Sequence, residues 1–186
     1  MSSKDLMTIP DEVLVEQYIS GNQDAFQKLY ERYKLKLYDY ALRYLREPDL
    51  AEDVTQEALL SMYCNISQFN SEKGTLKTWL FSIVHHECYR LQHRYLNRYF
   101  RLHWKEQSTE ELILSEEGWN QTAGIDIDRL LQKLPEKYRL PIVLTKIHQL
   151  SINESAQILG LSAANVKQRV FRGIQLLRKY LGSEIT

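Results

Sequence analysis

Two cysteines among 186 residues, Cys64 and Cys88, are too few for a disulfide framework or a four-thiolate zinc site. Seven glycines and four prolines leave no low-complexity tract, so composition excludes fibrous and disordered classes. No apolar run approaches the roughly 18 residues that a membrane span requires. Lys4, Asp5, Asp11, Glu12 and Glu16 fall where a secretory signal would need an apolar centre. A cytoplasmic protein is expected. Net charge is missing as well, because 24 basic side chains balance 24 acidic ones, which argues against a general DNA coat protein. The chain has no nucleophile motif and no phosphate-cradling Gly loop, so neither an enzyme nor a cofactor or small-molecule ligand is expected.

Charge is present in blocks. Between Lys73 and Lys105 there are seven Lys/Arg and one acid, Glu87. Between Glu106 and Asp128 there are seven acids and no Lys or Arg. Five basic residues and no acid follow between Leu161 and Leu181. Two basic zones flanking an acidic stretch do not make one uniform polyanion-binding face.

Helical periodicity runs through nearly every segment, and no convincing strand alternation is found. A short helix is expected from about Asp11 to Ser20, stopped by Gly21-Asn22. The next begins near Asp24, carries Phe26, Leu29, Tyr30, Tyr33, Leu37, Ala41 and Tyr44 on one side, and ends before Pro48. Asp49 and Glu52 read as a capping box for a third helix burying Ala51, Val54, Ala58, Met62 and Ile66. After a loop at Asn70–Gly74, Thr75 caps a long helix that reaches at least Arg94. Residues from about Glu106 to Ile125 read as a linker, and a second domain opens near Asp126. There Pro135 suits the first helical position, and Pro141 is expected to bend its helix. The expected fold is all-α: an N-terminal bundle over 11–100, an acidic linker over 101–125 and a C-terminal domain over 126–183.

Ser151-Ile-Asn-Glu154 is a capping box, with Ile152, Ala156 and Leu159 facing inward. Gly160 suits the left-handed position that ends a helix, and Ser162 caps the next one. In that helix Val166, Val170, Ile174, Leu177 and Leu181 share a narrow stripe, opposite Gln168, Arg172, Gln175 and Lys179. This is the pattern of a helix-turn-helix, whose second helix enters the major groove by its N-terminal half. Asn165, Gln168, Arg169 and Arg172 can reach base edges and phosphates, while Lys167, Arg178 and Lys179 suit phosphates.

On the third helix Asp53, Gln56, Glu57 and Leu60 share the face opposite the buried stripe. Carboxylates beside an exposed leucine suit a partner presenting basic residues on a helix, although a plain solvated face has the same spacing. On the long basic helix Lys77, Arg90, Arg94 and Arg98 offer phosphate contacts, and Tyr89 a ring for stacking on single-stranded bases. Trp79 adjoins the apolar stripe and reads as core. His86-Glu87 has Arg90 where a zinc protease motif needs its second histidine, and His85 with Cys88 gives two ligands at most. No metal site is expected.

Taken in order, Ala51-Glu-Asp-Val-Thr-Gln-Glu-Ala58, Gly74-Thr-Leu-Lys-Thr-Trp-Leu80, Leu134-Pro-Glu-Lys-Tyr-Arg139 and the segment Ser151–Arg172 resemble the extracytoplasmic-function (ECF) sigma factors of the sigma-70 family. The resemblance covers roughly residues 11–100 and 126–182. It implies that Asp53, Gln56, Glu57 and Leu60 grip the beta-prime clamp of core RNA polymerase, with the beta subunit a further contact. It also implies that the loop at Asn70 and the helix after Thr75, including Lys77, His86, Tyr89, Arg90 and Arg94, open and read the minus-ten promoter element. By the same resemblance Asn165, Lys167, Gln168, Arg169 and Arg172 dock the minus-35 element, and a repressing, membrane-associated anti-sigma factor is an implied partner. The chain departs from the family at His86 and Arg90, where Asn and Asp are usual, and at Glu87, a carboxylate on the inward side that needs a partner. The competing expectation is a helix-turn-helix regulator acting without polymerase.

Overall fold

The fold is described from a computed structural model covering residues 9–103 and 127–184, with side chains over 9–94 and 127–182. Every long element among the described residues is a helix. The first bundle contains α1 (Asp11–Ile19), α2 (Gln23–Leu45), α3 (Pro48–Asn65) and α4 (Leu76–His103). Two 3-10 turns, Ile66–Gln68 and Ser71–Lys73, lead from α3 into α4. The second group contains α5 (Ile127–Gln132), α6 (Glu136–Ile142), α7 (Ile152–Leu159) and α8 (Ala163–Glu184).

Local chemistry explains most of the boundaries. Asn22 accepts from the Asp24 amide at 3.1 Å and starts α2, which ends on Arg46 in the left-handed region at φ 61°. Thr75 Oγ1 accepts from the Thr78 amide at 3.2 Å and caps α4 as expected. The capping box expected at Asp49 and Glu52 does not form. Pro48 opens α3 instead, with Glu47 ahead of it in extended backbone and Asp49 already in the first turn. Proline supplies a preset φ and lacks only an N–H that the first turn leaves unpaired anyway, so no side-chain cap is needed. The same displacement by one residue occurs at Pro135, which precedes α6 at ψ 140° rather than beginning it.

Pro141 perturbs its helix as its missing N–H requires. Beyond it the backbone widens into a π turn over Val143–Ile147, and the His148 amide reaches back five residues to Val143 O at 2.9 Å. The helix α4 continues to His103, past the expected domain edge at 100. The acidic stretch expected as a linker lies, from 104 onward, outside the described residues.

Leu14, Leu29, Leu37, Tyr40, Met62, Leu76, Phe81 and Val84 form the buried centre of the first bundle. The same apolar cluster includes Leu140, Val143, Leu144, Leu150 and Ile158 from the second group, so the two helical parts meet on a shared core. A smaller cluster, Leu131, Leu134, Ile142, Ala156, Val166 and Val170, attaches α8 to α5, α6 and α7.

The helix α8 approaches α6 at Gly173. A Cβ there would lie 2.6 Å from Ile142 Cδ1 and 3.2 Å from Tyr138 Cβ. The Ile142 methyl can rotate aside, whereas Tyr138 Cβ is fixed to its backbone. Gly173→Ala is therefore expected to be near neutral, crowding offsetting a helix-propensity gain of about 1 kcal/mol. Gly173→Val is expected to destabilise by about 3 kcal/mol, readable as a lower urea midpoint at unchanged slope. An unchanged midpoint would show that α6 and α8 do not approach so closely.

Candidate protein-binding and nucleic-acid-binding faces

The helix α3 divides cleanly. Ala51, Val54, Ala58 and Met62 are buried, while Asp53, Gln56, Glu57 and Leu60 are all exposed on the other side. Leu60 is 57% exposed, beside the two carboxylates and the amide. Gln56 Nε2 donates to Glu52 Oε1 at 3.3 Å, one turn back. One residue on this face went unread in the sequence. Tyr63, half exposed, extends the stripe by another turn and packs edge-on against Phe26, with ring centroids 5.2 Å apart. Its position three residues past Leu60 was the available signal.

The long helix α4 carries two distinct polar faces rather than one. His86, Tyr89, Arg90 and Arg94 are exposed together along its middle and C-terminal part. Tyr89 packs on His93, centroids 4.1 Å apart, so this exposed imidazole joins the face. Glu87, expected to need a partner, has one: Arg90 Nε donates to its carboxylate at 3.0 Å. Arg90 is therefore partly neutralised in the free chain. Asn70 is exposed, and its side chain accepts from the Glu72 amide at 2.8 Å, shaping the loop before α4. Lys77 stands apart from this group. It is half-buried and donates its Nζ to the carbonyl oxygen of His148, in the second helical group. Trp79 packs against Phe69 as core.

His85 and Cys88 are both committed inward. Burial, with His86 nearby, lowers His85 to about 4, so it is neutral at pH 7, and its Nδ1 lies 2.8 Å from the Tyr40 hydroxyl. Burial also pushes the Cys88 thiol up, away from the thiolate that metals prefer. Among the described residues no three His, Cys, Asp or Glu side chains converge as a metal site.

The helix-turn-helix is built from its caps. Ser151 Oγ accepts from the Glu154 amide at 3.2 Å, and Glu154 Oε2 accepts from the Ser151 amide at 2.9 Å, closing the box reciprocally. Gly160 turns the chain at φ 63°, and Ser162 Oγ accepts from the Asn165 amide at 3.2 Å to begin α8. Lys167, Gln168 and Arg172 are exposed on α8, and Val166 and Val170 are buried beneath. Asn165 and Arg169 are half-buried and bonded to each other, Arg169 Nε donating to Asn165 Oδ1 at 2.8 Å. Phe171, 62% exposed, stands beside Arg172 and escaped the sequence reading because aromatic residues at helical spacing usually face the core.

Comparison with known proteins decides what these faces belong to. Residues 29–99 match the Sigma-70 region 2 family, and residues 125–177 match the Sigma-70, region 4 family. The chain is 32% identical over 180 residues to the ECF RNA polymerase sigma factor SigW of Bacillus subtilis, covering 90% of this chain and 94% of that one. The chain belongs to the ECF sigma factors. The ECF RNA polymerase sigma-E factor of Escherichia coli K12 is 29% identical over 182 residues, covering 88% of this sigma factor and 90% of its relative.

Two solved structures share the fold. The sigma factor RpoE of Bartonella quintana, in complex with the anti-sigma factor NepR, superposes at a TM-score of 0.67 and 24% identity, over 84% of this chain and 96% of that one. CnrH, in complex with the cytosolic domain of CnrY, superposes at 0.65 and 24% identity, over 93% of this chain and 97% of that one. Membership makes this sigma factor a transcription-initiation factor that works with core RNA polymerase and promoter DNA. The competing reading, a regulator acting without polymerase, finds no support among these relatives. Sigma factors are generally non-enzymatic. No helix among the described residues is long and apolar enough to cross a membrane.

Proposed function

We propose that this ECF sigma factor divides its work among three of its helices. The face of α3 formed by Asp53, Gln56, Glu57 and Leu60 docks on the beta-prime clamp of core polymerase. The exposed face of α4, with His86, Tyr89, Arg90 and Arg94, and Lys77 and Asn70 near its start, holds the opened minus-ten element. On α8, Lys167, Gln168 and Arg172, supported by Asn165 and Arg169, enter the major groove at minus-35. The N-terminal part spans 11–100 and the C-terminal part 126–183, with the acidic stretch between them a connector.

The observation that carries this reading is the two-sidedness of α3. Its apolar stripe is fully used in the core, yet the opposite face keeps two carboxylates, an amide and an exposed leucine in water. That composition fits a cationic partner helix. An anti-sigma factor, of the kind bound to RpoE in its complex with NepR, would hold the chain in check, and the chain would act in the cytoplasm and catalyse nothing by itself. Run-off transcription with purified core polymerase on genomic fragments tests the assignment. A discrete set of transcripts that depends on this chain is expected, and neither transcripts nor co-elution with core would overturn it.

A further inference from the structure

Glu87 is the one acid among seven Lys/Arg between Lys73 and Lys105, and it borders the face of α4 proposed for opened DNA. A carboxylate there repels phosphates, so a face built for charge alone would do better without it. The side chain is held in place. It is only 21% exposed, its Oε2 accepts from Arg90 Nε at 3.0 Å and also from Arg90 Nη2, and the adjacent Cys88 is buried in the core. The other oxygen is differently placed. Among the described residues the neighbour of Oε1 is His86 Nδ1 at 3.8 Å, beyond hydrogen-bond reach. A free acceptor therefore stands beside a guanidinium that uses only Nε and Nη2 on Glu87. His86, Tyr89, Arg90 and His93 follow one another at i, i+3, i+4 and i+7, and all four are exposed. Tyr89 packs on His93 yet is 50% exposed, so an aromatic ring lies beside the polar pair.

We propose that Glu87 and Arg90 form a base-reading pair that selects cytosine at one position of the opened minus-ten element, with Tyr89 as the stacking ring beside them. The proposal rests on the minus-ten role of this face and adds the base that it takes. Unpaired bases offer their Watson–Crick edges to side chains, and those edges differ. Cytosine offers one donor, its N4 amino group, and two acceptors, N3 and O2. Glu87 Oε1 accepts from N4, while Arg90 donates from Nη1 and its remaining Nη2 proton to N3 and O2. Guanine offers two adjacent donors and would need both carboxylate oxygens, one of which Arg90 already holds. Adenine has a single acceptor on this edge and leaves one Arg90 donor unmet. Thymine sets its O4 against Oε1, two acceptors with no proton between them.

An i,i+3 ion pair also adds a little to helix stability, but that does not account for a lone acid in a basic block. Readout does, and the half-burial of Glu87 strengthens it. A stacked base takes the carboxylate further from water, so a base that leaves the acceptor unmatched is penalised more than the right base is rewarded. The pair is also set before DNA arrives. Arg90 fixes the Glu87 carboxylate in the free chain, which leaves less side-chain freedom to be lost on binding.

The test uses holoenzyme assembled from core polymerase and the full chain, on a promoter found by run-off transcription. Each minus-ten base is replaced in turn by the other three, and open-complex formation is measured. One position is expected to favour cytosine over thymine by roughly 10- to 100-fold. Glu87→Gln keeps the shape and presents an acceptor or a donor as the base requires. It should bring that ratio to within about threefold, with preferences at the other positions and core binding as in the wild type. Replacing the cytosine by 2-pyrimidinone, which lacks only the amino group, should cost the wild type about tenfold and the Glu87→Ala holoenzyme little. A minus-ten element with no cytosine-preferring position overturns the proposal, as does a Glu87→Gln protein that keeps the wild-type ratio. A uniform loss at every position would mark a purely structural ion pair and overturns it too. The minus-ten role of the face is read separately, from Arg94→Ala holoenzyme on a single-stranded minus-ten oligonucleotide. Weaker binding with a flatter salt dependence is expected there, and unchanged binding would remove the face itself, so the two readings fail in different experiments.

Discussion

Charge reversal at Asp53 and Glu57 is expected to lower affinity for core polymerase by about a hundredfold while leaving the fold intact. Both carboxylates are exposed on α3, and the residues that hold the helix in place, Ala51, Val54, Ala58 and Met62, lie on its other side. Exposed substitutions of this kind move folding stability by only about 0.5 kcal/mol. At an interface the balance differs, because each lysine would both lose an attraction and face a like charge. Two such changes at about 1.4 kcal/mol each give the hundredfold figure. Leu60→Ala should add a smaller loss through its buried area, without a salt dependence. Fluorescence titration of labelled protein with core polymerase measures both variants. Wild-type affinity in the double reversal would remove this face from the interface.

Arg172→Ala is expected to weaken promoter binding by roughly ten- to hundredfold, the range for one lost bidentate base contact at about 1–3 kcal/mol. Gln168→Ala should behave similarly, since both side chains are exposed on α8 over a buried Val166 and Val170. The structure separates these from Arg169. The Arg169 Nε is held by Asn165, so truncating Arg169 frees a half-buried amide as well as deleting a charge. Its effect should therefore include misplacement of Asn165, and Asn165→Ala should reproduce part of it. Lys167→Ala should weaken all DNA sequences alike and flatten the salt dependence by about one ion. Binding of the holoenzyme to a promoter identified by run-off, measured at several salt concentrations, distinguishes these patterns. An Arg172→Ala protein with unaltered sequence preference and salt slope would contradict the placement of α8 in the groove.

Those two faces were legible before any coordinates, for one reason. A helix with one buried stripe announces its free face by exclusion, and α3 and α8 are such helices. The helix α2 is different. Of the seven positions expected on one side, Leu29, Tyr33, Leu37, Ala41 and Tyr44 are buried and Phe26 and Tyr30 half-buried, but Tyr40, Leu42 and Leu45 are buried as well. Those positions look surplus on a surface helix and become necessary when a second helical part covers them. In α7 the expected inward set was Ile152, Ala156 and Leu159; Ala156 is buried and the other two are half-buried, while Ser155 and Ile158, which the set omitted, are buried. The same limit explains Lys77, which pattern assigns to a basic face and which tertiary contact turns to a carbonyl. The capping box at Asp49 failed because sequence signals compete, and a proline one residue earlier set the helix start first.

The order of residues was enough to establish an all-helical chain, its helix-turn-helix, the free sides of α3 and α8 and the family to which they belong. All of these follow from periodicity and caps within a few turns of backbone, where each residue's role depends on near neighbours. Tertiary structure alone decided that the two helical parts share a core, that Glu154 reaches Thr75 and Thr78, and that Lys77 is not free. Side chains separated by 70 residues or more in the chain meet there only because burying both apolar surfaces together removes more of them from water than burying each alone.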